Sequence, residues 1–213
     1  EIGDRFGVGN SLQNIGMAYM SLGEYETAKR YSEDALVIAR EIRHRAGEAD
    51  MHNNLGLIIR RLDGDLQEAR DHLEQAIVIA GEIEDRVGVA LALGNLGDVM
   101  IGMNDLDVAK AILNLALHQA HRQGALQPLL RSIVWLGKLI ELDGEPVRAA
   151  KLWSFVNLHE SCDVETGRDS ENLLMELVDV LSAETLARAI EESKSLTVET
   201  VVQSLSDSET SPV

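Results

Sequence analysis

Asn54-Leu55-Gly56-Leu57-Ile58-Ile59, Leu62-Asp63-Gly64-Asp65 and the pair Ala69 and Ala76 form the stretch that decides the fold, because it recurs. Asn14-Ile15-Gly16, Asn95-Leu96-Gly97 and Trp135-Leu136-Gly137 repeat its opening, so Gly16, Gly56, Gly97 and Gly137 return at a spacing constant to within one position. Ala28, Ala69, Ala109 and Ala149 follow these glycines at an equally constant spacing, and Ala35, Ala76, Ala116 and Val156 stand seven positions further on. Between glycine and alanine lie turn-like segments: Leu22-Gly23-Glu24, Leu62-Asp63-Gly64-Asp65, Met103-Asn104-Asp105 and Leu142-Asp143-Gly144-Glu145. Each unit therefore reads as helix, short turn, helix, and such self-similarity marks a repeat architecture. Asp65 with Glu68 predicts a capping box opening the second helix of its unit.

The small residues carry a physical message. Glycine inside a helix costs about 1 kcal/mol relative to alanine. Its return at one register implies that the two helices of a unit touch there. Alanines seven apart share a face, two turns apart, and let the partner helix approach. Larger residues fill the space between. Tyr19, Ile59, Met100 and Ile140 come three after each glycine, and Ser32, Leu73, Leu113 and Trp153 come four after each first alanine.

These residues resemble the tetratricopeptide repeat (TPR) in a variant of about 40 residues, over residues 1–160. The usual unit has about 34 residues. His52 stands where that pattern has an apolar or aromatic residue, which predicts imperfect packing in the second unit. Gly7, Gly47 and Gly88 each precede their repeat glycine by nine positions, whereas Gly124 precedes Gly137 by about one helical turn more. That predicts one helical turn shifted at the last junction. Glu1–Gly7 matches the end of a unit, as Glu41–Gly47 and Glu82–Gly88 do, so a further repeat is expected upstream. The resemblance implies an all-α fold: a right-handed α-solenoid of helix pairs. Residues 161–205 form its capping helices and residues 206–213 a disordered tail. The helices expected in the cap are Asp169–Leu181, Ala183–Lys194 and Val198–Leu205, with Ser182 and Thr197 as N-caps.

Lys151-Leu152-Trp153, Leu181-Ser182-Ala183-Glu184 and Ser195-Leu196-Thr197-Val198-Glu199 also resemble the C-terminal end of bacterial STAND-type predicted ATPases and transcription regulators. That resemblance implies a sensor or regulatory region belonging to a larger signalling protein.

Composition narrows the function. The 213 residues carry 19 Lys and Arg against 36 Asp and Glu, a formal net charge of −17. Phosphate neutralisation needs a basic patch, so nucleic acid is excluded as a direct partner, as is docking on anionic membranes. Apolar residues make up 45%, enough for a core, and no apolar run is long enough to span a bilayer. One cysteine, Cys162, excludes an internal disulfide and fits a cytoplasmic setting.

Catalytic chemistry finds little footing. No Gly-x4-Gly-Lys-[Ser/Thr] loop is present, so nucleotide hydrolysis by that route is excluded. His118 and His121 share a helix face without a third metal ligand, and His159 near Cys162 lacks an orienting third group. No enzyme activity, metal or cofactor is expected.

A binding groove is the sharper reading. In TPR arrays the first helices line the concave surface, and the resemblance places Asn14, Asn54 and Asn95 on it at one register. An asparagine offers a donor and an acceptor, so a ladder of them can hold a peptide backbone without reading its side chains. The competing reading gives them to repeat geometry. Asn10, Gln13 and Asn53 add polar groups, Arg60 and Arg61 add positive charge for an acidic group, and Trp135 replaces Asn in the last unit, as a groove anchor or as core. The expected partner is a protein or peptide, including upstream domains of the same protein. The alternative is a scaffold that self-associates or packs on those domains.

Overall fold

The structure is a computed structural model that describes residues 2–62 and 64–207, with side chains from residue 5 onward. Among the described residues there are α-helices and one short 3-10 helix, and no strand. The helices are α1 (Ile2–Ser21), α2 (Tyr25–Glu41), α3 (Arg45–Arg61), α4 (Leu66–Glu82), α5 (Arg86–Gly102), α6 (Leu106–Gln123), α7 (Leu126–Leu142), α8 (Pro146–Leu158), α9 (Val164–Glu176), α10 (Ala183–Ser193) and α11 (Val198–Asp207). The chain divides into two compact units, residues 1–105 and 106–213. In the first, α1 packs on α2, α2 on α3, α3 on α4 and α4 on α5. In the second, α6 packs on α7, α7 on α8, and α8 carries α9 and α10, while α11 lies against α6.

The repeated small residues act as their spacing predicts. Ala28, Ala69, Ala109 and Ala149 are completely buried. A methyl group on Gly56 would come within 2.5 Å of Leu73 Cγ and 3.0 Å of the Ala69 carbonyl oxygen. On Gly137 it would meet Trp153 Nε1 at 2.6 Å, whereas on Gly16 it would meet Ser32 Oγ at 3.3 Å. Leu73 and Trp153 are fully buried, so this register is the seam of the α3–α4 and α7–α8 pairs.

The helix starts correct one expectation. Arg45, Arg86 and Leu126 begin α3, α5 and α7, and each stands at the same distance before its repeat glycine, so no helical turn has moved. Gly124 is the counterpart of Arg43 and Glu84, not of Gly47. These three share the left-handed turn conformation, with φ of 64°, 58° and 59°. Glycine adopts that conformation without a Cβ penalty, and the other two residues adopt it at some cost.

Asp65 does cap α4, but through the Gln67 N–H at 2.8 Å. The reciprocal half of the expected box is missing, because Glu68 pairs with Lys29 at 3.5 Å instead. In the second unit α9 begins at Val164, earlier than the expected start at Asp169, because Asp163 accepts from the Thr166 N–H at 3.0 Å and caps it. Ser182 accepts from the Thr185 N–H and Thr197 from the Thr200 N–H, as expected. Ser206 and Asp207 belong to α11, and residues 208–213 of the expected tail lie outside the described residues.

Candidate functional site

The polar residues singled out in the sequence spread over α1, α3, α5 and α7. In the first unit, Asn10 and Gln13 of α1 line a cleft between α1 and α3 whose floor is Ala35, Ile38 and Ala39 of α2. One repeat on, Asp50 and Asn53 of α3 line the matching cleft between α3 and α5, floored by Ala76 and Ala80 of α4. Asn10 corresponds to Asp50 and Gln13 to Asn53, so the two clefts are built from the same register. Gln13 also donates to Asp50 Oδ2 at 3.3 Å, joining the first helices of adjacent units. Burial pushes the Asp50 carboxyl above its ordinary value, against the Gln13 hydrogen bond, which favours the ion.

The asparagine ladder is graded, not uniform. Asn14 is exposed, Asn54 half-buried and Asn95 buried. Asn95 Nδ2 donates to Asn53 Oδ1 at 2.8 Å, so the close asparagine pair joins Asn95 to the neighbour of Asn54. Asn95 Oδ1 is buried without a hydrogen-bond partner among the described residues. A buried acceptor left unmet costs about 1–3 kcal/mol.

Arg60 and Arg61 are not free to serve an acidic ligand. Asp98, 1% exposed on α5, takes Arg60 at 3.2 Å and Arg61 at 3.7 Å. Two guanidinium groups share one carboxylate, which leaves a local excess of one positive charge. In the second unit Trp135 is 7% exposed, and its Nε1 has no partner among the described residues. It is buried, which removes the expectation of an open aromatic anchor. That unit has its own cleft of about 140 Å3 between α6, α7, α8 and α11, with Lys110, Asn114, Asp143 and Arg148 on its walls. Arg148 also donates to the Ser204 carbonyl oxygen at 3.0 Å, tying α11 to it.

Sequence reading missed Asp98, although a signal existed. Met17 and Leu57 are apolar at this register while Asp98 and Lys138 are charged, and a carboxylate on a face that is apolar in the neighbouring units asks for a cation. It also missed a histidine pair. His52 of α3 and His72 of α4 meet Nδ1 to Nδ1 at 3.0 Å, with no shared spacing to announce it. His52 packs within the helices instead of disturbing them. Elsewhere, His159 Nδ1 accepts from the Ser161 N–H, and burial pushes the Cys162 thiol up to about 11. A thiol held neutral is a poor nucleophile. Among the described residues no three metal-ligating side chains converge, and no helix is long and apolar enough to cross a membrane.

Comparison with known proteins defines the class. The tetratricopeptide repeat family profile matches residues 7–80 and 47–119, together more than half of the chain. The chain belongs to the tetratricopeptide repeat family. Its fold resembles the crystal structure of BtubC (BKLC) from P. vanneervenii, with 15% identity and a TM-score of 0.58 over 95% of this chain and 91% of that one. No curated protein matches it. TPR repeats mark a protein-interaction or scaffold module.

Proposed function

We propose that the chain is a non-catalytic module that binds an extended protein segment along the first helices of its repeats. The observation that carries this is the pair of register-matched clefts, one with Asn10 and Gln13 on its wall and the next with Asp50 and Asn53. Amide side chains at a fixed interval suit a ligand with a repeating backbone, because each supplies a donor and an acceptor. Asn14 and Asn54 are the accessible members of the ladder, whereas Asn95 is buried and holds Asn53. Trp135 is buried and Arg60 is paired with Asp98, so neither is assigned a grip on the ligand. Residues 161–205 act as the cap. The resemblance of Lys151-Leu152-Trp153, Leu181-Ser182-Ala183-Glu184 and Ser195-Leu196-Thr197-Val198-Glu199 to the end of STAND-type proteins supports a place as the cytoplasmic sensor region of a larger bacterial signalling ATPase or transcription regulator.

Peptides selected on the intact chain by phage display provide the test. Binding of the enriched peptides should fall at least about tenfold in a Gln13→Ala/Asn14→Ala/Asn54→Ala variant with unchanged melting. Equal retention by parent and variant would remove the ladder from recognition.

A second reading, self-association, rests on apolar side chains left open on α1: Phe6, Ile15 and Met17 are 39–47% exposed. A mass that rises with concentration in sedimentation equilibrium, and no longer does so in Met17→Glu, would support it.

A further inference from the structure

The histidine pair lies outside the clefts and joins three helices. Arg40 of α2 donates from Nη2 to His52 Nε2 at 2.9 Å, and His52 Nδ1 meets His72 Nδ1 at 3.0 Å. The ring centroids are 5.0 Å apart. His52 is 5% exposed and His72 half-buried.

A guanidinium can only donate. His52 Nε2 must therefore carry a lone pair, which places the His52 hydrogen on Nδ1. That hydrogen points at His72 Nδ1, which must also carry a lone pair, so the His72 hydrogen sits on Nε2. Both basic nitrogens of the pair already face an N–H. A proton added to His52 lands against Arg40, and one added to His72 lands against His52. Either event turns a hydrogen bond into a contact between two donors and adds a cation beside Arg40.

The surrounding charges are engaged elsewhere. On α3, Glu48 is held by Arg40 at 3.0 Å and by Arg45 at 2.7 Å. On α4, Glu68 is held by Lys29 of α2, and Asp71 accepts from Gln67 at 2.7 Å. Arg40, Arg45 and Lys29 oppose further positive charge, while Glu48, Glu68 and Asp71 favour it. Among the described residues no third metal ligand joins the pair, so a cation site is not built here.

We propose that His52 and His72 form an acid-sensitive latch that holds α2, α3 and α4 together at neutral pH and releases them in mildly acidic solution. Burial lowers His52 to about 4 and lowers His72 as well, each also pressed down by neighbouring cations. For a histidine whose folded value is depressed, the unfolded chain binds more protons. The stability it contributes is complete above the unfolded value near 6.5 and is lost as pH falls toward the folded value.

Nitrogen-15 NMR of the intact chain tests this without any substitution. The expected result is His52 with hydrogen on Nδ1, His72 with hydrogen on Nε2, and neither protonated at pH 6.5. Between pH 7.5 and 5, amides of α3 and α4 should lose at least about tenfold of their hydrogen-exchange protection after correction for intrinsic rate, while those of α7 and α8 keep theirs. A His52→Leu/His72→Phe variant, if folded, should keep its α3 and α4 protection over the same range. Histidines that titrate near 6.5 with α3 and α4 protection unchanged would overturn the latch. So would equal loss of protection across all helices, which would mean a global effect of charge.

Discussion

Trp153 Nε1 donates to the Val134 carbonyl oxygen at 2.9 Å, while the same indole covers Gly137 so closely that a methyl group there would meet it at 2.6 Å. The glycine and the indole are two halves of one contact between α7 and α8. Gly137→Ala should destabilise by about 1–3 kcal/mol despite its better helix propensity, because the buried ring cannot retreat. Gly81→Ala, on α4 with nothing within 4 Å of the new atom, should stabilise by about 0.5–1 kcal/mol. Urea unfolding followed by circular dichroism compares the two.

Asn95→Ala removes the hydrogen bond to Asn53 and should cost about 1 kcal/mol. Asn14→Ala, at an exposed position of the same register, should leave stability within about 0.5 kcal/mol of the parent. Thermal melts of the two single variants separate the architectural member of the ladder from the accessible one.

Burial would raise the Asp163 carboxyl, but the Arg131 guanidinium and the hydrogen bonds from Thr166 outweigh it and hold the group below the ordinary carboxylate value. Its contribution is therefore present above the unfolded value and lost as pH falls through the folded one, below about pH 4. Asp163→Ala should cost about 1–2 kcal/mol at neutral pH, through the lost cap of α9, and should flatten the acid limb. That limb lies below the histidine window, so stability curves against pH resolve the two.

Cys162 should be slow toward alkylation. With its thiol raised from 9.0 to about 11, iodoacetamide at pH 8 should react at least about tenfold more slowly than with an unperturbed cysteine, the scarcer thiolate being partly offset by its greater nucleophilicity. Mass spectrometry of the folded chain against the same chain in urea measures the ratio.

What the sequence made legible was whatever repeats. Gly16, Gly56 and Gly137 with Ala28, Ala69 and Ala149 announce helix contacts because every unit needs them. The clefts were half-legible, since Asn10, Gln13 and Asn53 could be placed on first helices but not against their neighbours. Features used by a single unit were harder to see. The His52–His72 contact depends on two helices meeting at a point no period encodes, and Asp98 drew Arg60 and Arg61 out of the binding role their charge suggested. Gly124 was misassigned because Arg43 and Glu84 do its work without looking like turn residues.

The seam between paired helices also governs which helices can be exchanged between repeats. Gly56 faces Leu73 and Gly137 faces Trp153 with no spare volume, so in these pairs each helix is shaped to its own partner. Gly16 faces the smaller Ser32 and leaves nearly enough room for a methyl group. A chimera that transplants α2 as a partner for α3 or α7 would leave a void, and one that transplants α4 or α8 onto α1 would crowd a seam with room for less than a methyl group. The unit that can be moved without loss of fit is therefore the helix pair and not the single helix.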